Sequence, residues 1–78
     1  MRVVIAKVDE VLYEGEAHSM TVPASGGEMT VLGEHMPLIT TLKEGTITIR
    51  ESSGATPQKF PVANGVLEVR RDGATVIL

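Results

Sequence analysis

Short runs of alternating apolar and polar residues, separated by polar turns, fill the sequence. In the clearest run, residues 46–50, Ile47 and Ile49 alternate with threonine and arginine. A period of two places one set of side chains on a buried strand face and the other set in water. The same pattern predicts strands at 2–8, 11–14, 16–22, 28–32, 36–42, 46–50, 58–62, 66–70 and 74–78.

The turns between these strands carry glycine, proline and asparagine. Gly15 inside a strand suggests a bulge or bend, and Pro23 is expected to end the strand that precedes it. Asn64 and Gly65 predict a turn, since both residue types accept positive φ. The most polar segment, 51–57, is typical of an exposed hairpin loop.

No window of the sequence shows apolar residues at helical spacing behind a capping residue. Many short strands with turn chemistry between them are typical of a sandwich or barrel. We therefore predict an all-β fold, a small antiparallel β-sandwich of about eight to ten short strands. At 78 residues the chain is expected to form one domain, 1–78, with no linker or internal repeat.

Composition narrows the possible functions. The chain has no cysteine, so neither a disulfide framework nor a cysteine zinc site is available. Tyr13 and Phe60 are its only aromatic residues, which argues against a stacking platform for single-stranded nucleic acid. The net charge of −3 argues against binding to a phosphate backbone. We expect no nucleic acid among its partners.

The sequence has no apolar run long enough to cross a bilayer, and its N-terminus lacks the apolar region of a signal peptide. We expect a soluble, cytoplasmic chain with no direct membrane insertion. If the protein works at a membrane, it is expected to do so by binding something already embedded there.

The segment after the strand at 28–32 carries the least usual residues. Its turn places Glu34, His35, Met36 and Pro37 in consecutive positions. Such a combination in a connecting turn favours a contact site over a simple connection, because binding residues are concentrated on loops.

Catalysis and metal binding are less well supported by the residues. No serine, histidine and aspartate cluster in a recognisable context, so we predict no enzyme activity and no cofactor. The two histidines are not at the spacing of metal ligands, and no metal site is expected. We interpret His18 as a strand histidine, half packed in the sheet on the same face as Met20 and Val22.

Several segments, taken together and in order, resemble the epsilon subunit of F-type ATP synthases, in its N-terminal β-sandwich domain. Residues 11–16 are similar to the family pattern Val-Leu-aromatic-Glu-Gly-Glu, and residues 19–23 are similar to Ser-Val-Thr-Leu-Pro. Residues 27–28 and 34–38 are similar to Gly-Glu with a following strand and Gly-His-Ala-Pro-Leu, and residues 42–45 to Leu-Lys-Pro-Gly. Residues 60–69 and 74–78 are similar to Phe-x-Val-x-Gly-Gly-x-Leu-Glu-Val and Val-Thr-Val-Leu. The matches cover the whole chain at the family's spacing.

The resemblance implies a non-catalytic subunit of the rotating central stalk. It implies that the sandwich couples the gamma subunit to the polar loops of the membrane c-ring during proton- or sodium-driven ATP synthesis. It also implies a peripheral position on the cytoplasmic face of an energy-transducing membrane. Glu28 and His35 match positions at or near the ring contact, and His35 and Thr40 match positions that face gamma. Met36 and Pro37 complete this set of candidate partner-binding residues.

Alternatives stay open for these residues and for the chain. Glu28 is also explained as a solvated acid at a strand edge, and His35 as a turn histidine that bonds its own backbone. A free-standing β-sandwich interaction module is the alternative function. Gly33-Glu34 and Met36 depart from the family's Pro-Gly and alanine, which makes the partner contacts specific to this chain.

The end of the sequence limits what the resemblance carries over. Many members of the family continue into a C-terminal pair of helices that inhibits ATP hydrolysis and in some members binds ATP. This sequence ends at Leu78, so neither inhibition nor ATP binding is expected of it.

Overall fold

The computed structural model describes residues 1–33 and 36–78, and this part of the chain contains nine β-strands and no helix. The strands are β1 (Arg2–Lys7), β2 (Glu10–Glu16), β3 (Ser19–Ala24), β4 (Gly27–Leu32), β5 (Leu38–Leu42), β6 (Gly45–Arg50), β7 (Gln58–Val62), β8 (Gly65–Arg70) and β9 (Gly73–Ile77). The predicted all-β fold is confirmed.

The strands form one curled sheet with two packed halves. Its order is β2-β1-β9-β8-β5-β3-β6-β7, and β4 pairs with β3 outside this path. We call β2-β1-β9-β8-β5 the five-stranded half and β4-β3-β6-β7 the four-stranded half. The backbone pair Ala24 and Leu42 joins β3 of one half to β5 of the other.

One strand pair departs from the predicted antiparallel arrangement. The first strand, β1, runs parallel to the last, β9, whereas every other described pair is antiparallel. Parallel neighbours need a long connection, and here the whole chain between the two strands supplies it. Local alternation contains no information about such a pairing.

The inner faces of the two halves form a core of aliphatic side chains with one tyrosine. Ile47 and Ile49 are fully buried, as their alternation predicts, and Ile49 lies opposite the buried Met20 of β3. The described residues include no buried polar or charged side chain. Burial of aliphatic surface is therefore the main stabilising contribution to this small domain.

Two expectations about strand boundaries are wrong. Pro23 does not end its strand, because β3 continues to Ala24 and the Pro23 carbonyl accepts a hydrogen bond from the Lys43 N–H at 2.8 Å. The strand predicted at 16–22 is broken, since the chain passes from β2 to β3, and so from one half to the other, at Ala17 and His18.

This break changes the environment of His18. The histidine is exposed, while Met20 and Val22 are buried as expected, so the three side chains do not share a face. The His18 N–H donates to the carbonyl oxygen of Arg50 at 2.7 Å. The alternation of β3 does not extend back to His18, because the chain is crossing between halves there.

Gly15 is not the bulge of β2, because it pairs in register with Val3. The register shifts between Ile5, opposite Tyr13, and Ala6, opposite Val11. Leu12 is therefore the extra residue of the bulge. The bulge places Val11 on the outer face beside Ala6.

Two strand-initial glycines are required by close backbone contacts. Gly65 does not have the positive φ predicted for its turn, but a Cβ atom there would lie 2.7 Å from the carbonyl oxygen of Ile77. A Cβ atom at Gly73 would overlap the carbonyl oxygen of Arg2, its partner in the parallel pair. A side chain at Gly65 would therefore press against the backbone of β9, and one at Gly73 against the backbone of β1.

We expect Gly73→Ala to destabilise the domain by about 1–3 kcal/mol, because the added methyl group must displace backbone. Gly26→Ala is the matched control, since its Cβ meets nothing within 4 Å and its φ is not positive. The measurement is urea unfolding of the three proteins. Equal midpoints for Gly73→Ala and wild type would show that β1 and β9 separate without cost.

Tyr13 links β2 to the loop after β6. Its hydroxyl donates to Glu51 Oε2 at 2.9 Å, and its ring meets that of Phe60 edge-on with centroids 5.8 Å apart. Burial, with the hydrogen bond to Glu51, raises the pKa of Tyr13 from 10.0 to about 12. The neutral phenol is therefore favoured in the folded state.

We expect Tyr13→Phe to be less stable than wild type by about 1 kcal/mol near neutral pH. Because the pKa of Tyr13 is 10.0 unfolded and about 12 folded, its contribution is complete below pH 10 and is lost as pH rises toward 12. Urea unfolding from about pH 8 to pH 11 should show the two proteins converging. A constant difference across this range would contradict the raised pKa.

Candidate functional site

The turns of the sandwich collect at two opposite ends. The strand registers place the turns at 8–9, 25–26, 43–44 and 63–64 at one end, which we call the Glu28 end. The connections at 17–18, 51–57 and 71–72, together with Gly33, Met36 and Pro37, lie at the other end, which we call the Met36 end.

Glu28 and Met36, two of the predicted partner-binding residues, are separated by the length of β4. Glu28 is exposed next to the Ser25–Gly26 turn, opposite Pro23, and Met36 follows the other end of the strand. The four residue steps from Glu28 to Leu32 alone span about 13 Å. The two side chains therefore belong to different surfaces.

The other predicted site residues differ in position. Pro37 is exposed directly before β5, so the expectation of a proline at the start of that strand is close to the observed boundary at Leu38. His35 lies outside the described residues. Thr40 is half-buried and pairs with the buried Leu67, so it lies on the inner side of β5. Ile39, beside it, faces outward.

An apolar row crosses the outer face of the five-stranded half. It is formed by Val11, Ala6, Ile77 and Val66, which are successive cross-strand partners on β2, β1, β9 and β8. Cross-strand partners share a face of the sheet, so their side chains are neighbours. Val11, Ile77 and Val66 are 59%, 52% and 43% exposed.

On β5 the direct partner of Val66 is Thr41, and Ile39 lies diagonal to Val66, opposite Glu68. Ile39 is 73% exposed. We call the apolar row with Ile39 the apolar face. Exposed apolar side chains grouped on one face make this surface a candidate interaction site.

The outer face of the four-stranded half has the opposite character. Thr30, Thr21, Thr48 and Lys59 are successive cross-strand partners there, and the hydroxyls of Thr21 and Thr30 lie 3.0 Å apart. Leu32 is an exposed apolar side chain of this half, at 52%. The two outer faces are therefore a polar one and an apolar one.

Charges beside the apolar face are paired with one another. Arg2 donates to Glu14 at 2.7 Å, and Arg70 donates to Glu68 at 3.1 Å. These exposed pairs contribute little to stability because water screens them. They neutralise the guanidinium groups of Arg2 and Arg70 beside the apolar face.

The prediction from the sequence missed the apolar face. One signal was available, since Ile39 stands out of phase with Leu38 and Leu42, the inward positions of the same strand. The remaining members are brought together by the pairing of β1 with β9, which no local pattern reveals.

Neither a candidate metal cluster nor a helix that could cross a bilayer is present in the described part of the chain. No group of three or more acidic or histidine side chains among residues 1–33 and 36–78 is placed to hold a metal ion. None of those residues forms a helix long and apolar enough to span a bilayer.

Fold and surface together define a small all-β sandwich domain with one apolar outer face. Comparison with known proteins identifies the family of the chain. Residues 1–78 match the ATP synthase, Delta/Epsilon chain, beta-sandwich domain family. The chain belongs to this family.

Curated relatives include ATP synthase epsilon chains from several bacteria. The epsilon chain 2 of Burkholderia orbicola is 39% identical over 77 residues, which are 99% of this chain and 51% of the relative. The epsilon chain of Caulobacter vibrioides is 35% identical over 66 residues, 85% of this chain and 74% of the relative. The chain spans about half the length of the first relatives it matches, 51% and 55% for two of them.

Two solved structures share the fold. A chain of the Euglena gracilis mitochondrial ATP synthase, in a structure of OSCP, F1 and c-ring, superposes with a TM-score of 0.87 at 18% identity over 96% of this chain and 48% of that one. A chain of the Tetrahymena thermophila central stalk and c-ring gives a TM-score of 0.81 at 13% identity, over 99% of this chain and 61% of that one.

Proposed function

We propose that this chain is the β-sandwich of a non-catalytic central-stalk subunit of an F-type ATP synthase. In this proposal it couples the gamma subunit to the polar loops of the c-ring, at the cytoplasmic face of the membrane and without entering it. The observation that carries the proposal is the apolar face, together with the epsilon chains among its relatives. The coupling ion, proton or sodium, is a property of the ring.

The apolar face is the proposed surface for gamma. Strands β1, β9 and β8 are each paired on both sides, so a partner at these strands contacts their outer face and does not add a strand to them. Covering the exposed aliphatic side chains removes apolar surface from water, which favours association. Ile39 and Met36, both largely exposed, are the proposed anchors toward the Met36 end of this surface.

The Glu28 end is the proposed surface for the ring. Its turns are short and mostly polar, although Val8 is exposed in the turn at 8–9, and Glu28 projects into water beside the turn at 25–26. An exposed carboxylate can pair with a basic residue of a ring loop, which adds more to specificity than to affinity. With gamma bound to the apolar face and the ring bound to the Glu28 end, the sheet would connect the two partners mechanically.

Contacts by His35 and Thr40 also belong to the proposal, as the resemblance implies. Thr40 lies on the inner side of β5, so its contact would be made at the margin of the strand and not through the apolar face. Among the described residues of this region, Ile39 offers the larger accessible side chain.

We expect Ile39→Thr to weaken binding to gamma by about tenfold, the usual effect of removing a central apolar anchor. Leu32→Thr is the matched control, because it removes a similar exposed aliphatic group from the other half of the sandwich. Binding of purified chain to gamma from the same source is measured by calorimetry, and both variants should unfold like wild type.

Equal loss of affinity in the two variants would show that the apolar face is not the gamma surface. Failure of wild type to bind a gamma subunit that does bind another epsilon subunit would refute the rotor role. The chain would then be a free-standing interaction module.

We expect Glu28→Gln to reduce retention of the chain, in complex with gamma, on purified c-rings in low salt. The difference from wild type should disappear as salt rises, since screening weakens exposed pairs. Glu16→Gln, which removes one charge at the Met36 end, should bind the ring like wild type. An effect of Glu16→Gln as large as that of Glu28→Gln would contradict the assignment of the Glu28 end to the ring.

A further inference from the structure

A groove lies at the end of the paired strands β5 and β8, where the apolar face reaches the Met36 end. Its volume is about 490 Å³, and it is lined by Pro37, Leu38, Ile39, Glu68, Val69, Arg70 and Arg71. Ile39 is thus both a member of the apolar face and a wall of the groove. A partner that covers the apolar face also covers this groove, because the two surfaces are continuous.

The two arginines of the groove differ in their contacts. Arg70 is occupied, since its Nη1 atom lies 3.1 Å from Glu68 Oε1 and 3.0 Å from Thr75 Oγ1, and its Nε atom lies 3.5 Å from Asp72 Oδ1. Arg71 begins the exposed turn after β8. Arg71 has no hydrogen bond or ion pair to any residue in the described part of the chain.

Arg71 therefore supplies, at the rim of this groove, a guanidinium that contacts no carboxylate. Arg70 contacts the carboxylates of both Glu68 and Asp72, so the four charges of this region balance. A guanidinium presents a planar pair of donors that matches a carboxylate in two places. An apolar wall with such a rim fits an aliphatic or aromatic side chain that has an acidic neighbour.

We propose that the groove is a specificity site for gamma, in which an apolar side chain of gamma occupies the groove and an acidic side chain beside it pairs with Arg71. This inference rests on the proposed function, because gamma is the partner that covers the apolar face. A polyphosphate or nucleic acid is a poorer fit to the groove, since a single free arginine next to aliphatic walls lacks the repeated positive charge that such ligands require.

The test is binding of purified chain to gamma, with Arg71→Glu compared to Lys59→Glu. Lys59 is exposed on the polar outer face, so its reversal changes net charge equally at a distant position. Arg71→Glu is expected to weaken binding by about tenfold in low salt, because like charges then face each other across the contact. Lys59→Glu should bind like wild type.

Two further measurements identify the acidic partner. Arg71→Lys, which keeps the charge but not the planar pair of donors, should bind with an affinity between those of wild type and Arg71→Glu. Acidic surface residues of gamma are then changed to lysine one at a time, and one of these variants should restore binding to Arg71→Glu. Unchanged affinity of Arg71→Glu, or failure of every lysine variant to restore it, overturns the inference.

The outcomes separate this inference from the proposed function. Binding of wild type to gamma, with loss in Ile39→Thr but none in Arg71→Glu, refutes the specificity site and leaves the rotor role intact. No binding of wild type to a competent gamma refutes both. Arg71 lies in an exposed turn, so unfolding of Arg71→Glu should match wild type and exclude misfolding as the cause of lost binding.

Discussion

The parallel pairing of β1 with β9 is the contact on which the rest of the structure depends. It joins the two terminal strands of the chain, and it requires the carbonyl oxygen of Arg2 to lie where a side chain at position 73 would be. Without that close approach, β2 and β1 would not be continuous with β9 and β8. Both the core of the five-stranded half and its apolar outer row would be divided.

The same alternation of side chains produces the core and the surfaces that we propose for binding. Inward positions are mostly aliphatic, with Tyr13 and Thr40 among the exceptions, and the halves pack through Ile47, Ile49 and Leu67. Outward positions are threonine-rich in the four-stranded half, whereas an aliphatic row crosses the five-stranded half between charged and polar positions. An aliphatic row on an outer face does not improve the fold of an isolated domain, which is why we assign it to a partner.

Polar contacts in this domain fix the relative positions of segments more than they add to the free energy of unfolding. The ion pairs of Arg2 and Arg70 are exposed and therefore weak, but they neutralise the charges that flank the apolar face. Tyr13 differs because its hydroxyl bonds Glu51 from a buried position and holds the loop after β6 to β2. The remaining free guanidinium, that of Arg71, is accordingly informative about what lies opposite it.

The sequence by itself determined the strands, since alternation and turn residues depend on neighbours in the chain. It located residues 46–50 and the hairpin at 51–57, and the ordered motifs identified the family. Only the tertiary structure decided which strands are adjacent, because register between distant strands depends on packing. It moved His18 to the surface, separated Glu28 from Met36, turned Thr40 inward and placed Ile39 diagonal to Val66. A surface whose side chains come from five strands has no local signature.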